Sequence, residues 1–327
     1  MSIQEYFTFD SDYDDLTIDC LMIRPDGEPK AVLQMAHGMS EYKERYIPLM
    51  EYLANRGYVC CMNDHRGHGK SVKDFNDLGY FYSGGGNALV EDMHKLTDIL
   101  QERYPGLPFY LFGHSMGSLA VRVYAKRYDD DINGLIVCGC PSENSAIGVA
   151  EALVDMMIKI KGERYLSKLC SSLFVGMFNK NFKKEGSDFA WLSVNRDNVS
   201  KYEEDPYCGF NFTLNGYKAL IYLMKETYSK DNWHLHDPSP VMFISGENDP
   251  CMTNRKMLMK AVGLMDQVGY RDVSYNIFEG MRHEILQEDA RENVFDYIDG
   301  TLGGWMPSDE VTDEEDLTEE EAYGLPD

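Results

Sequence analysis

Short, unbroken apolar runs recur along the chain from residue 31 onwards, and amphipathic stretches separate them. A strand that is covered on both faces needs a continuous apolar run, whereas a helix on a sheet needs apolar residues three and four positions apart. The predicted strands are 31–36, 58–62, 109–112, 135–138, 241–245 and 273–278. The predicted helices are 46–55, 87–104, 115–128, 254–268 and 284–302. This alternation predicts an α/β protein with a doubly wound, mostly parallel sheet.

Two regions depart from the alternation. Near the start of the chain, apolar and polar residues alternate in two runs broken by acidic and Pro-Asp-Gly turns, which predicts an antiparallel hairpin. Between the strands predicted at 135–138 and 241–245, Met, Leu, Phe and Tyr recur at helical spacing. We therefore expect one α/β core from residues 1–140 and 239–303, a helical cap at 141–238 and an acidic C-terminal tail at 304–327.

The chain is strongly acidic, with a formal charge of −24 and a pI of about 4.6. Residues 308–327 hold ten acidic side chains and no basic one, so the remainder of the chain carries −14. A field of this sign repels phosphate backbones and anionic membrane surfaces at long range, which excludes nucleic acid as an expected partner. We expect the acidic tail to be solvated and to take no part in the chemistry.

The eight cysteines lie mostly in apolar runs, which is typical of buried thiols. None forms a CxxC pair and no Cys/His cluster has zinc-ligand spacing, so the sequence predicts no disulfide framework, no metal and no cofactor. The acidic N-terminal stretch lacks the basic and apolar regions of a signal peptide, and no run of about eighteen apolar residues is present. These features predict a cytoplasmic protein.

A GxSxG motif at residues 113–117 directly follows a predicted strand and directly precedes a predicted helix. In that context a sharp strand-to-helix turn strains the serine backbone, and the flanking glycines let neighbouring backbone approach closely. Ser115 is therefore the candidate nucleophile, with its hydroxyl at the carboxyl edge of the sheet.

A serine hydroxyl needs a base within reach and a carboxylate that holds the base, and in folds of this kind they follow the serine in the order acid, then histidine. His283 alone among the eight histidines lies beyond residue 236, and it follows the last predicted strand by a short loop. The loop after strand 241–245 supplies Asp249 as the acid, with Glu247 as a nearby competitor. An Asp-Pro turn is the structural alternative for Asp249.

The oxyanion that forms on an attacked carbonyl needs two backbone N–H donors. We expect one from Met116, the residue after the nucleophile. The second is expected from Met39, in the loop after strand 31–36, where Gly38 turns the chain.

Several segments together resemble the monoacylglycerol lipase and lysophospholipase group of the α/β-hydrolases, which is often classed with the serine aminopeptidases. They are HGMSEYKERY at 37–46, NDHRGHGKS at 63–71, GHSMGS at 113–118, SGENDP at 245–250 and RHEIL at 282–286. The resemblance spans about residues 5 to 303. It implies an α/β-hydrolase fold, a triad of Ser115, Asp249 and His283, and an oxyanion hole at Met39 and Met116. The cap resembles the family only loosely, as at YEEDPYCGFNFT, residues 202–213.

Two other motifs have simpler interpretations. His65 and His68 lack a neighbouring cysteine or carboxylate cluster, so we expect them to brace a loop beneath the site rather than to bind metal. The glycine run that starts at Gly84 lacks the GK[ST] ending of a phosphate-binding loop and is better interpreted as the start of a helix.

The predicted function is a serine hydrolase that cleaves small acyl esters, such as monoacylglycerols, lysophospholipids or short to medium acyl esters, through an acyl-enzyme on Ser115. Contact with a membrane or micelle is expected to be transient at most and to involve the cap. An aminopeptidase is the alternative, and it would need cap carboxylates for a free amine, for which the sequence offers Glu151, Asp155, Glu203, Glu204 and Asp205. A non-catalytic binding protein on the same fold is a third hypothesis.

Overall fold

The computed structural model describes residues 1–307. One eight-stranded sheet runs through the protein in the order β1-β2-β4-β3-β5-β6-β7-β8. The strands are β1 (Ser2–Asp10), β2 (Thr17–Pro25), β3 (Ala31–Ala36), β4 (Tyr58–Asn63), β5 (Phe109–His114), β6 (Gly134–Cys138), β7 (Val241–Gly246) and β8 (Val273–Phe278). Strands β3 to β8 pair in parallel, whereas β1 and β2 form the antiparallel hairpin expected at the start of the chain.

Helices cover the sheet and form the insertion between β6 and β7. They are α1 (Ile47–Ala54), α2 (Gly85–Arg103), α3 (Met116–Tyr128), α4 (Ile147–Lys161), α5 (Lys168–Ser171), α6 (Arg196–Glu204), α7 (Leu214–Tyr228), α8 (Arg255–Val268) and α9 (Arg291–Gly304). A π-helical turn, Ser172–Gly176, continues directly from α5. The predicted α/β class and its mostly parallel sheet are confirmed.

The sheet separates two apolar cores, as a doubly wound arrangement requires. One core packs side chains of α2, α3 and α8 against one face of the strands. The other packs α1 and α9 against the opposite face. The central strands β3, β4, β5 and β6 are buried along their whole length, as their continuous apolar runs indicated.

The insertion between β6 and β7 contains α4 to α7. Helix α7 packs against α2 and α3 as well as against α4, so it lies directly on the helical layer of the core. The division into a core and a cap at residues 141 and 238 stays a prediction. Within residues 1–307, no helix is both long enough and apolar enough to cross a bilayer.

The predicted helix 284–302 was wrong at its N-terminal end, because α9 begins only at Arg291. A short 3₁₀ turn, Ile285–Gln287, comes first. Beyond it, the buried carboxylate of Glu288 accepts hydrogen bonds from the backbone N–H groups of Arg282 at 3.0 Å and Val194 at 3.0 Å. These bonds hold the chain in a loop where periodicity alone favoured a helix.

The last described residues pack on the core. Helix α9 continues to Gly304, and the ring of Trp305 lies 6.0 Å from the ring of Tyr110, centroid to centroid. A β-carbon at Gly134 would stand 2.4 Å from Trp305, so this glycine leaves room for the indole. The prediction of a solvated acidic segment concerns residues 308–327, which lie outside the described residues.

We predict that Leu111→Ala lowers the free energy of unfolding by about 2–5 kcal/mol, because Leu111 is fully buried in the central strand β5 and its removal leaves a cavity. Urea denaturation followed by circular dichroism measures the change. Val149→Ala is the matched control, since Val149 is 75% exposed and its loss should change stability by less than about 0.5 kcal/mol. Equal effects of the two substitutions would contradict the burial argument.

Candidate active site

The carboxyl ends of four neighbouring parallel strands bring the candidate residues to one edge of the sheet. Strand β5 ends one residue before Ser115, β7 leads into the loop that carries Asp249, and β8 leads into the loop that carries His283. Strand β6 lies between β5 and β7 and ends next to Gly139. A β-carbon at Gly139 would stand 3.1 Å from the His283 ring, so the glycine makes space for the imidazole.

Ser115 has a backbone conformation that few residues other than glycine adopt, with φ 53° and ψ −115°. The turn is tight because β5 leads straight into α3. A β-carbon on Gly113 would lie 2.3 Å from the carbonyl oxygen of Gly117, and one on Gly117 would lie 2.1 Å from that of Ala36. Two glycines are therefore required for the strained turn, as the GxSxG motif indicated.

His283 and Asp249 form a buried pair. The Nδ1 atom of His283 lies 3.0 Å from each carboxylate oxygen of Asp249. The carboxylate also accepts from the backbone N–H of Cys251 at 2.8 Å and from the Ser245 hydroxyl at 3.2 Å. These contacts fix the tautomer that carries a proton on Nδ1 and leaves Nε2 free to accept one.

Burial by itself raises the pKa of Asp249, but the neighbouring His283 and the Cys251 N–H outweigh burial and hold that pKa below its ordinary value. Asp249 is therefore an ionised acceptor at neutral pH. The competitor Glu247 is exposed, and its carboxylate accepts the N–H of Gly280 at 3.0 Å instead.

Ser115 and His283 line the same cavity, which has a volume of about 640 Å³. Among the described residues, no hydrogen bond joins the Ser115 hydroxyl to the His283 ring. The atom nearest to His283 Nε2 among its hydrogen-bond contacts is Cys251 Sγ, at 3.8 Å. Catalytic hydrogen bonds are often long without substrate and tighten in the complex. The indole of Trp191 covers the imidazole, with ring centroids 5.0 Å apart.

The two expected oxyanion donors lie on either side of Ser115. Met116 is the first residue of α3, where an N–H has no acceptor within the helix. Met39 lines the cavity in the segment 37–41, called here the oxyanion loop. Its shape is fixed by Glu41, whose carboxylate accepts the N–H of Gly38 at 2.7 Å. The assignment of Met39 and Met116 as donors stays a prediction.

Sequence reasoning missed a cluster of ionisable side chains with little exposure at the cavity wall, which we call the buried charge cluster: Glu41, Arg45, His114 and Glu284. All but Arg45 line the cavity. Arg45 donates to Glu41 at 2.7 Å and to both oxygens of Glu284, at 2.5 and 2.8 Å. The one signal in the sequence was a Glu and an Arg four residues apart, the Glu three residues after the glycine of the oxyanion loop.

His37, within the oxyanion loop, packs against two further histidines, His65 and His68. The rings of His37 and His65 lie 4.2 Å apart and those of His37 and His68 lie 5.1 Å apart. His37 Nε2 accepts the backbone N–H of His65 at 2.9 Å. Burial lowers the pKa of His37 and of His68 to about 3, so both are neutral. Their position supports the interpretation as loop braces.

Within residues 1–307, Asp249, Cys251 and His283 are the one group of side chains close enough together to approach a metal ion. Their polar atoms already serve the Asp249–His283 hydrogen bonds, so we assign no metal there.

The five cap carboxylates that an aminopeptidase would need lie away from the cavity. Each has another partner: Glu151 pairs with Lys225, Asp155 with Lys218, Glu203 with Ser187, Glu204 with Ser200, and Asp205 with Tyr42. These five carboxylates are therefore not placed to bind a free amine beside Ser115, whereas another cap carboxylate, that of Asp188, does line the cavity.

The sequence model of one family, described as serine aminopeptidase, S33, matches residues 27–290. The chain belongs to this family. The match spans the oxyanion loop, Ser115, Asp249 and His283, and it confirms the resemblance that the motifs indicated.

Several proteins with similar sequences are named as lipases or phospholipases. A monoacylglycerol lipase from Mycolicibacterium smegmatis is 27% identical over 280 residues, which cover 84% of this chain and 88% of that protein. The human monoglyceride lipase is 24% identical, over 85% of this chain and 84% of its own length. Phospholipase YtpA from Bacillus subtilis is 26% identical, over 82% of this chain and 93% of its own length.

A solved carboxyl esterase from Bacillus coagulans has the same fold, with a TM-score of 0.86 and 24% sequence identity. The superposition covers 93% of this chain and 99% of the esterase.

A fluorophosphonate reacts covalently with an activated serine hydroxyl. We predict that Gly38→Ala slows this labelling of Ser115 by about 10²-fold, because the loss of one oxyanion donor lowers a reaction rate by about that factor. The new β-carbon would stand 2.5 Å from the Glu41 carboxylate and 3.2 Å from Ser115 Cβ, which would displace the oxyanion loop of this S33 family member. Gly27→Ala is the matched control, since nothing lies within 4 Å of a β-carbon there. Unchanged labelling of Gly38→Ala would argue against Met39 as a donor.

Proposed function

We propose that this protein is a carboxylic ester hydrolase that acts on monoacyl lipids through an acyl-enzyme on Ser115. The observation that carries the proposal is the meeting of a strained nucleophile turn and a buried Asp–His pair at one apolar-walled cavity. The names of the relatives, monoacylglycerol lipase and phospholipase, support the same reaction class.

The reaction begins when the Ser115 hydroxyl attacks the ester carbonyl carbon and His283 Nε2 takes the hydroxyl proton. Asp249 stabilises the imidazolium that forms, and the N–H groups of Met39 and Met116 hold the oxyanion. His283 then returns the proton to the departing alcohol. Water repeats the sequence on the acyl-enzyme, which releases the fatty acid and the free Ser115 hydroxyl.

The cavity walls favour an acyl chain over a peptide. Apolar side chains from the cap and from the oxyanion loop form a large part of the cavity wall: Met39, Leu166, Val175, Phe178, Phe189, Trp191, Leu192 and Phe210. Polar and charged side chains line the remainder and provide groups for a polar head: Asn179, Asn211, several serines, Lys168, Lys183, Asp188, Glu41 and Glu284. A wall with one apolar part and one polar part suits a single acyl chain joined to a small polar alcohol.

We predict that the protein hydrolyses p-nitrophenyl esters with a preference for medium over acetyl chains, since a longer chain buries more of the apolar wall. Ser115→Ala should lower kcat by about 10⁴- to 10⁶-fold with an unchanged melting temperature. Ser145→Ala is the matched control, because Ser145 is exposed and lies outside the cavity lining. Cleavage of an amino-acyl p-nitroanilide at a rate above that of every ester would favour the aminopeptidase.

We further propose that contact with a lipid surface involves cap residues 156–184, called here the basic cap surface. This segment carries seven exposed basic side chains and a single acidic one, in a protein of net charge −24: Lys159, Lys161, Arg164, Lys168, Lys180, Lys183 and Lys184 against Glu163. Exposed apolar side chains lie among them: Met156, Ile160, Tyr165, Leu166, Leu169, Leu173 and Met177.

Such a mixture of cations and apolar groups is typical of surfaces that lie on anionic lipid. Leu166 and Lys168 belong both to this surface and to the cavity lining, so an acyl ester could pass from the lipid to Ser115 without crossing water. The negative field of the whole protein acts at long range, whereas these cations act at contact because salt screens charges beyond about 10 Å.

We predict that the protein sediments with vesicles that contain about 30% phosphatidylglycerol and not with pure phosphatidylcholine vesicles, because each surface cation adds about 1 kcal/mol. The substitutions K159E and K161E together should weaken that binding at least about tenfold. K30E with K256E is the control of equal charge change, since both lysines are exposed and lie outside the cap. Equal loss in both double variants would contradict a specific surface.

A further inference from the structure

His114, the residue before the nucleophile, has an acceptor at each ring nitrogen. Its Nδ1 lies 3.2 Å from the Glu41 carboxylate and 3.0 Å from the Tyr46 hydroxyl, and its Nε2 lies 3.2 Å from the backbone carbonyl oxygen of His283. A carbonyl oxygen can only accept, so Nε2 carries a proton. The Tyr46 hydroxyl donates its proton to Glu41 at 2.9 Å, so it is not available as a donor to Nδ1. Nδ1 faces the Glu41 carboxylate, which can only accept, so a proton on Nδ1 gives this contact a donor.

Charge balance leads to the same conclusion. The buried charge cluster holds two carboxylates, Glu41 and Glu284, and one guanidinium, that of Arg45. Their side chains are at most 11% exposed. With a neutral His114 this cluster would carry an uncompensated buried negative charge, which is costly. A doubly protonated His114 makes the cluster neutral.

We propose that His114 is an imidazolium that joins the oxyanion loop, through Glu41, to the backbone of His283, and so acts as a positioning residue for the catalytic base. The role of His283 as base rests on the proposed function. The His114 ring thereby connects the oxyanion loop with the loop that carries His283. Catalysis requires that the base and the oxyanion donors face the same substrate carbonyl, and this depends on how the two loops are placed relative to each other.

The surrounding charges support this protonation state. Burial lowers the pKa of His114, but the hydrogen bond and charge of Glu41, together with Glu284, outweigh burial and raise that pKa above its ordinary value. The other ionisable groups nearby are Arg45 and Tyr46 after the oxyanion loop, neutral His37 within it, Cys138 at the end of β6, and Asp249 and His283. Burial raises the pKa of Tyr46 well above its ordinary value, so its hydroxyl remains a donor.

The charge of His114 changes with pH in a definite direction. Because the pKa of His114 is raised, the ring keeps its second proton to a higher pH than an ordinary histidine does, and it loses that proton as the pH rises through the raised pKa. Loss of a donor then frees the His283 loop from Glu41. We therefore expect kcat/KM to have an alkaline limb set by His114.

The test is the pH dependence of p-nitrophenyl ester hydrolysis between about pH 5 and pH 10. His114→Gln should abolish the alkaline limb and lower kcat about 10- to 100-fold with little change in KM, which is the size expected for a misplaced base. Glu41→Gln should move the alkaline limb to lower pH, because it removes the charge that stabilises the imidazolium. His236→Gln is the control, since His236 is exposed and outside the cavity lining.

Nitrogen-15 NMR of the wild-type ring reports the protonation state of His114 without any dependence on activity or on the folding of a variant. Two protonated ring nitrogens at neutral pH support the proposal. A neutral ring at pH 6, or an alkaline limb that is the same in His114→Gln and wild type, overturns it. Absence of ester hydrolysis by the wild type would defeat the proposed function instead, and the NMR result would still decide the state of His114.

Discussion

The structure depends on one backbone constraint, the turn that holds Ser115 at positive φ between β5 and α3. The turn exists because Gly113 and Gly117 have no β-carbons to collide with neighbouring carbonyls. Strain of this kind persists only where the surroundings impose it, and here the fully buried strand and the buried first turn of α3 do so. The apolar core therefore stabilises a conformation that the serine would not adopt alone, and the hydroxyl is presented to the cavity.

The same architecture explains why much of the fold could be predicted from the sequence. The central strands are buried on both faces, so they need continuous apolar runs, and β3 has the bounds that its run predicted. The edge strand β8 is half-buried along its length and also has its predicted bounds. Ser115, Asp249 and His283 each come after a strand, and parallel strands bring the loops at their carboxyl ends to one edge of the sheet. The fold class and the family are confirmed, whereas the catalytic roles of the three side chains stay predictions that the geometry supports.

The buried charge cluster could not be predicted in this way, because its members come from three separate segments that only tertiary folding brings together. The sequence predicted that Glu284 begins a helix, and no periodicity around Glu41, Arg45 or His114 indicated that these side chains meet. The pattern of apolar and polar residues predicts burial only where the periodicity of a single helix or strand determines which side chains are buried. The start of α9 was misjudged for the same reason, since Glu288 binds backbone N–H groups from distant loops.

The net charge of the chain likewise does not predict the local charge of one surface. A value of −24 describes the sum over the chain, whereas binding at contact depends on the charges within about a Debye length of the partner. The basic cap surface is locally cationic and apolar, with Glu163 as its one acidic residue, and part of it lines the cavity. An acidic body with a cationic face would be repelled from anionic lipid in most orientations and attracted in one. Repulsion in the other orientations would then favour the approach in which the cavity faces the lipid.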